Sequence, residues 1–153
     1  MVVESYEVVQ GEFVVSTDRK RIDIDAVYHY LHDEAYWSQG IPREIVERSI
    51  ENSLCFGIYR DGEQVGFARM ITDYATFAYL ADVFVLAPYR GQGLSKWMME
   101  CIMAHPGLQG IRRFHLLTRD AHGLYEKSGF VPVAEPGRHM EKYVPVDQGG
   151  VHV

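Results

Sequence analysis

The apolar positions of this chain change period along its length. Between residues 23 and 33, Ile24, Val27, Tyr28 and Leu31 recur at the 3.6-residue spacing of a helix with one buried face. A second helical segment opens at Pro42, whose fixed φ suits a first turn, and carries Ile45, Val46 and Ile50 on its apolar side. Between them, Tyr36-Trp37-Ser38-Gln39-Gly40-Ile41 is a turn with two large aromatics that either cap the core or meet a ligand. The pattern then becomes β-like. Residues 54–60 form a strand, Asp61-Gly62 suits a tight hairpin, and residues 64–72 return antiparallel. Residues 76–86, rich in aromatic and β-branched side chains, complete a meander.

Helical spacing resumes with Leu94, Trp97, Met98 and Cys101 as one apolar stripe and Lys96 and Glu100 on the wet side. Residues 107–110 turn the chain into a short strand at 115–118. Asp120 is placed to cap the following helix, which carries Ala121, Leu124 and Tyr125 and ends at Gly129. Residues 130–133 and 140–144 read as a closing hairpin bridged by Pro136-Gly137. One crossover helix separates the run at 76–86 from the strand at 115–118, so these two are expected to be parallel neighbours. No internal repeat interrupts the pattern. A single domain is expected over residues 1–146, followed by a loose tail at 147–153.

Composition narrows the function classes. At 153 residues, 47% hydrophobic and 24% charged, the chain has the make-up of one globular domain with a full core. The net charge of −6, with 15 dispersed Lys and Arg, argues against a nucleic-acid partner. No apolar run approaches the roughly 20 residues that span a membrane, and the first residues lack a signal-like pattern. The expectation is a cytoplasmic protein with no membrane partner. Cys55 and Cys101 form no C-x-x-C and read as small core residues. His29 and His32 share a helical face, but Asp33 and Glu34 do not complete a ligand pattern, so no metal is expected.

The densest chemical signal is Val83-Phe84-Val85-Leu86-Ala87-Pro88-Tyr89-Arg90-Gly91-Gln92-Gly93-Leu94-Ser95, where an apolar strand passes through a glycine-bearing turn into a helix. The N–H groups of a first helical turn lack intrahelical partners and sit at the positive end of the peptide dipoles. Gly91 and Gly93 clear side chains from the turn wall, and Arg90 offers a charged donor. A nucleotide-triphosphate loop is absent, and Lys96 stands where a dinucleotide fingerprint needs its third glycine. Taken alone, the spacing fits both an anion site and a plain tight turn.

Two motifs in order resemble those of the GNAT superfamily of N-acetyltransferases. Arg90-Gly91-Gln92-Gly93-Leu94-Ser95 matches that family's [QR]-x-x-G-x-[GA] at Arg90 and Gly93 but ends in Ser95. Ala121-His122-Gly123-Leu124-Tyr125-Glu126-Lys127-Ser128-Gly129-Phe130 matches A-x-x-L-Y-x-x-x-G-F throughout. The resemblance extends over residues 10–145. It implies an α/β fold with a mixed, mostly antiparallel, splayed sheet flanked by helices, and acetyl-CoA as cosubstrate. It also implies pantetheine contacts from the backbone of Val83, Phe84 and Val85, and pyrophosphate contacts from Arg90, Gly91, Gln92, Gly93, Leu94 and Ser95. His122 and Asp120 are further cofactor contacts, with capping of its own helix as the alternative for Asp120.

The implied activity is acetyl transfer to a primary amine, on a small molecule, by direct attack. A protein or peptide acceptor and a non-catalytic coenzyme-A-binding sensor are the alternatives. Tyr125 is the candidate acid, since a phenol can protonate the departing thiolate and the family's equivalent tyrosine sits near the coenzyme sulfur. Some related polyamine acetyltransferases have Leu-Glu-Asp where this chain has Leu80-Ala81-Asp82. Asp82 therefore remains as a candidate to bind or orient the amine, with Tyr79 as a water-orienting group. Strand alternation leaves the face reached by Asp82 open. Trp37, Arg69 and Asp73 are candidate acceptor contacts, with the closing segment at Arg138, His139 and Met140 also placed to set selectivity. Edge strands leave a homodimer open.

Overall fold

A computed structural model describes residues 4–145; the expected tail at 147–153 lies outside the described residues. Among the described residues six strands hydrogen-bond in chain order: β1 (Glu7–Gln10), β2 (Phe13–Ser16), β3 (Leu54–Arg60), β4 (Glu63–Thr72), β5 (Phe77–Val85) and β6 (Arg113–Leu116). The first four pairings are antiparallel and β5–β6 is parallel, as the crossover predicts. The hairpin β1–β2, turning at Gly11 with φ +60°, is an addition to the sequence reading, which assigns nothing before residue 23. At the β3–β4 turn, Asp61 and Gly62 take φ +50° and +81°, the left-handed pair that a two-residue hairpin requires.

Helices cover both faces of the sheet. On one side lie α1 (Ile24–His29), capped by the Asp23 carboxylate on the Ala26 N–H, and α2 (Arg43–Glu51). Val27, Leu31, Val46 and Ile50 from these segments bury against Cys55, Phe67 and Phe84. On the other side α3 (Leu94–Met103) sets Leu94, Trp97, Met98, Cys101 and Ile102 against Phe56, Ile58, Met70, Leu80 and Val85. The short α4 (His122–Glu126) packs Tyr125 into the same core. Residues Tyr30–Glu34 continue α1 as a wider π-helical turn, closed by the Ala35 N–H donating to the Tyr30 carbonyl at 2.9 Å.

Three expectations are corrected. The last strand is Arg113–Leu116 rather than 115–118, because Thr118 has already left the sheet: its Oγ1 accepts from the Ala121 N–H at 3.0 Å. Thr118 therefore performs the local capping assigned to Asp120, whose carboxylate is exposed. The closing hairpin is absent; residues 131–145 contain only a 3-10 turn at Pro136–Arg138. Pro132 removes a backbone donor from the first of the two stretches that would have to pair. Val131, Met140 and Tyr143 stay exposed.

His105, buried just beyond α3, locks the exit of that helix. Its Nδ1 accepts from the Gly107 N–H at 2.9 Å, and its ring meets Tyr6 and Phe56 edge-on at 5.0 and 5.6 Å. Accepting at Nδ1 fixes the neutral tautomer, and burial lowers the imidazole's pKa. The unfolded chain therefore takes up a proton near its ordinary value, about 6.5, that the folded form accepts only at lower pH. This contribution is complete above that value and is lost as pH falls through the folded pKa. In urea unfolding between pH 7 and 5, His105→Gln is expected to show a shallower loss of stability than the parent.

Candidate active site

β5 is longer than its parallel neighbour, and the mismatch opens the sheet. β6 pairs only with Phe77–Leu80, so from Ala81 onward the β6-facing edge of β5 is uncovered by any strand among the described residues. A cavity of about 530 Å³ fills the gap, lined by Tyr79 to Val83 on one side and Leu116 to Ala121 on the other. Tyr125 from α4 and Tyr36 and Trp37 from the α1–α2 loop complete the wall.

The position of Asp82 follows from a β-bulge. Phe67 pairs with Phe84 and Arg69 with Ala81, so two residues of β5 face one residue of β4, and Asp82 adopts φ +55°. This resolves the question that alternation left open: the carboxylate lies on the same face as Arg69. Asp82 Oδ2 accepts from Arg69 Nε at 2.9 Å and Oδ1 from Trp37 Nε1 at 3.0 Å, with the ion-paired side chains only 12% and 15% exposed. Arg69 Nη1 also donates to Ser53 Oγ at 3.2 Å. Both carboxylate oxygens are thus engaged, which suits an orienting group better than a proton acceptor.

Tyr125 is fixed by the short helix that begins at the Thr118 cap. It is buried, meets Phe130 edge-on at 6.2 Å, and burial pushes its phenol up to about 12, with Tyr36 and Asp120 adding to the rise. Tyr79 is half-buried on the cavity wall, and burial raises its phenol as well, followed by the Asp82 charge. His115 stacks on Tyr79 at 6.0 Å and on His139 at 5.5 Å, which brings the closing segment against β6.

At the end of β5 the chain enters the glycine turn. Gly91 and Gly93 have φ +81° and +78°, and a Cβ built at either would meet open space. Gly93 precedes α3 in a left-handed conformation without a side-chain cap. Among the described residues, the N–H groups of 91–96 donate to no protein acceptor; the first bond into the helix is Trp97 N–H to the Gly93 carbonyl. The turn therefore presents a row of free donors around a space without side chains, which fits a pyrophosphate. Arg90 does not add to this row as its charge suggested. Its Nε donates to the Val85 carbonyl at 2.8 Å and its Nη2 to the Tyr30 hydroxyl at 3.0 Å, so it braces the turn against β5 and α1. Phe84 likewise turns its side chain inward, stacked on Tyr30 at 3.9 Å.

Asp73 is not in the cavity. In the β4–β5 turn its carboxylate accepts from the N–H groups of Ala75, Thr76 and Phe77 and from the Thr76 hydroxyl, bonds that hold it far below the usual carboxylate range. His122 lies outside the central cavity and lines a neighbouring one of about 380 Å³ beyond β6. Sequence reasoning missed Tyr30, Ser53 and Arg119. The Arg119 guanidinium lies 3.6 Å over the Tyr36 ring, a pairing across 83 residues that no local pattern announces. Among the described residues, no group of three His, Cys, Asp or Glu side chains converges as a metal site, and no helix is long and apolar enough to cross a membrane.

Comparison with known proteins agrees with this geometry. Residues 24–130 match the model of the acetyltransferase (GNAT) family. A Gibberella zeae protein whose name provisionally assigns it as an acetyltransferase is 34% identical over 141 residues, covering 78% of each chain. A Xanthomonas campestris crystal structure, described as provisionally an acetyltransferase of the GNAT family, is 52% identical with TM-score 0.86, over 90% of this chain and 96% of that one. A Staphylococcus aureus structure of unknown function, with a suggested acetyltransferase assignment, is 28% identical with TM-score 0.69, over 86% and 99%. With a splayed sheet, an open glycine turn and a family match over most of its length, the chain belongs to the GNAT family of acetyl-CoA-dependent acetyltransferases.

Proposed function

We propose that this acetyltransferase acts on the primary amine of a small molecule, by direct attack and without an acetylated enzyme. The observation that carries the small-molecule reading is the α1–α2 loop. Trp37 ties it to β5 through Asp82, and Tyr36 ties it to the β6–α4 connection through Arg119, so the acceptor side is enclosed from two directions. The cavity of about 530 Å³ has the size of a small-ligand site. A cysteine route lacks support, since Cys55 and Cys101 are buried outside the cavity with thiols pushed up to about 12 and 11.

Bound acetyl-CoA supplies an activated acyl carbon and a thiolate leaving group. The N–H groups of 91–96 hold its pyrophosphate, and the uncovered edge of β5 at Val83 to Val85 lies along the pantetheine arm. The Asp82 carboxylate, held by Arg69 and Trp37, fixes the loop that positions the amine, while Tyr79 orders water beside it. The amine nitrogen forms the new N–C bond as the C–S bond breaks. Tyr125 gives its phenolic proton to sulfur, and the proton shed by nitrogen returns to the phenolate through water.

Two measurements test this reading. Acetyl-CoA titration should show saturable binding with hydrogen-exchange protection of residues 83–95, and acetylation should favour free small amines over peptide amines. A peptide acetylated with a higher kcat/KM than every small amine would overturn the acceptor assignment. Gly93→Ala should raise the acetyl-CoA Kd at least about tenfold, because left-handed backbone costs a non-glycine residue roughly 1–2 kcal/mol and the turn relaxes away from its converging donors. Calorimetry of the folded variant reads this directly.

A further inference from the structure

Within the acetyl-transfer reading, we infer that the acceptor is an arylalkylamine, an amine carried on a flat apolar ring, rather than a polyamine or a phosphorylated amino sugar. The charged side chains that line the cavity occur in opposite-sign pairs, and Glu141 acts on Tyr79 from the closing segment. Asp82 is neutralised by Arg69 at 2.9 Å, and Asp120 lies 3.8 Å from Arg119. A polycation finds no unpaired carboxylate on the wall, and Ala81 contributes no acid. The Arg119 guanidinium already lies over the Tyr36 ring at 3.6 Å, which disfavours a second cation there. A phosphate finds no uncommitted arginine, because Arg119 is stacked and Arg69 is ion-paired.

The wall offers aromatic surface instead. Tyr36 and Trp37 meet edge-on at 5.1 Å, 87° apart, and remain 44% and 43% exposed although both line the cavity. The Trp37 indole N–H is fixed on Asp82, so its ring plane is held before any ligand arrives. Two rigid rings at right angles form a corner that receives a third ring by stacking on one and meeting the edge of the other, the two preferred aromatic geometries. Leu116, Leu117 and Val83 extend this corner with aliphatic surface. Such a corner discriminates by shape and dispersion, and directs the amine at the other end of a short linker towards the thioester.

The test combines turnover with a binding signal that needs no turnover. With acetyl-CoA present, kcat/KM for 2-phenylethylamine and tryptamine should exceed that for n-butylamine by at least about tenfold, the order expected for one or two aromatic contacts. Spermidine and glucosamine 6-phosphate should fall below n-butylamine. Tyr36→Leu should raise KM for 2-phenylethylamine about tenfold more than it raises KM for n-butylamine. Separately, 2-phenylethylamine should quench the fluorescence of half-exposed Trp37 saturably, and Trp37→Phe, which keeps buried Trp97, should abolish the signal. Spermidine or glucosamine 6-phosphate as the best substrate overturns the aryl assignment, as does an equal loss for all amines in Tyr36→Leu. Saturable quenching with acetyl-CoA binding but no turnover of any amine supports the ring site and overturns acetyl transfer to small amines.

Discussion

Tyr125→Phe is expected to lower kcat about 100-fold while leaving the acetyl-CoA Kd within about threefold, the range associated with removing a positioned proton donor. The substitution deletes one oxygen and keeps the ring that packs on Phe130 and the α3 core. Cofactor binding and folding should therefore survive, and the loss should fall on the chemical step. Burial sets the protonation state. Burial pushes the phenol up to about 12, so it is in the donor form across pH 7 to 10. Partial burial in the cavity disfavours the charge of a departing thiolate in the same way, so donor and leaving group shift together. It follows that kcat should show no alkaline fall below about pH 10 attributable to this tyrosine. Stopped-flow single turnovers of both proteins from pH 7 to 10 read both effects, and full activity in Tyr125→Phe would remove the tyrosine from proton transfer.

The second large effect concerns stability. Asp82→Asn should cost about 2–3 kcal/mol, somewhat below the 3–5 typical of breaking a fully buried pair, because the two side chains retain slight solvent contact. For a domain of this size that corresponds to a Tm drop of about 5–10 °C. Asparagine tolerates left-handed backbone as aspartate does, so the loss reports the charge left unpaired on Arg69 rather than backbone strain. Arg69→Met should cost a similar amount, and the double variant should lose less than the sum of the two. Calorimetric melting of the four proteins measures the coupling; strictly additive losses would show that the ion pair contributes nothing as a pair.

What the sequence reveals here divides by range. Periodicity located α1, α2 and α3 and the strands β3, β4 and β5, because a helix or strand that buries one face must repeat its apolar residues at its own pitch. The glycine turn and the Tyr125 helix were legible for the same local reason. The bulge at Asp82 was not, since it exists only in the pairing of β5 with β4. Nor was the fate of Arg90: its charge suggested a phosphate contact, but the acceptors it found, Val85 and Tyr30, converge only in the folded chain. Trp37 stands out in the sequence as a large aromatic in a turn, yet its partner lies 45 residues away. The closing hairpin failed in the opposite direction. Residues 130–133 and 140–144 have strand-like composition, but Pro132 breaks the donor pattern of the first, and composition alone does not register a missing donor.

The extra residue in β5 can be viewed as an insertion whose removal the core would not notice. Before it, Ala78 and Leu80 face α3; after it, Val83 and Val85 do so, while Phe84 faces α1. A chain lacking Asp82 would alternate without interruption, with Val83 opposite Ala68 and Phe84 still opposite Phe67, and every apolar side chain would keep its layer. Such a deletion variant should fold with both cores intact. It would lose the carboxylate that gathers Arg69 and Trp37 and bear the cost of an unpaired Arg69, which marks position 82 as an addition that the alternation of the strand does not require.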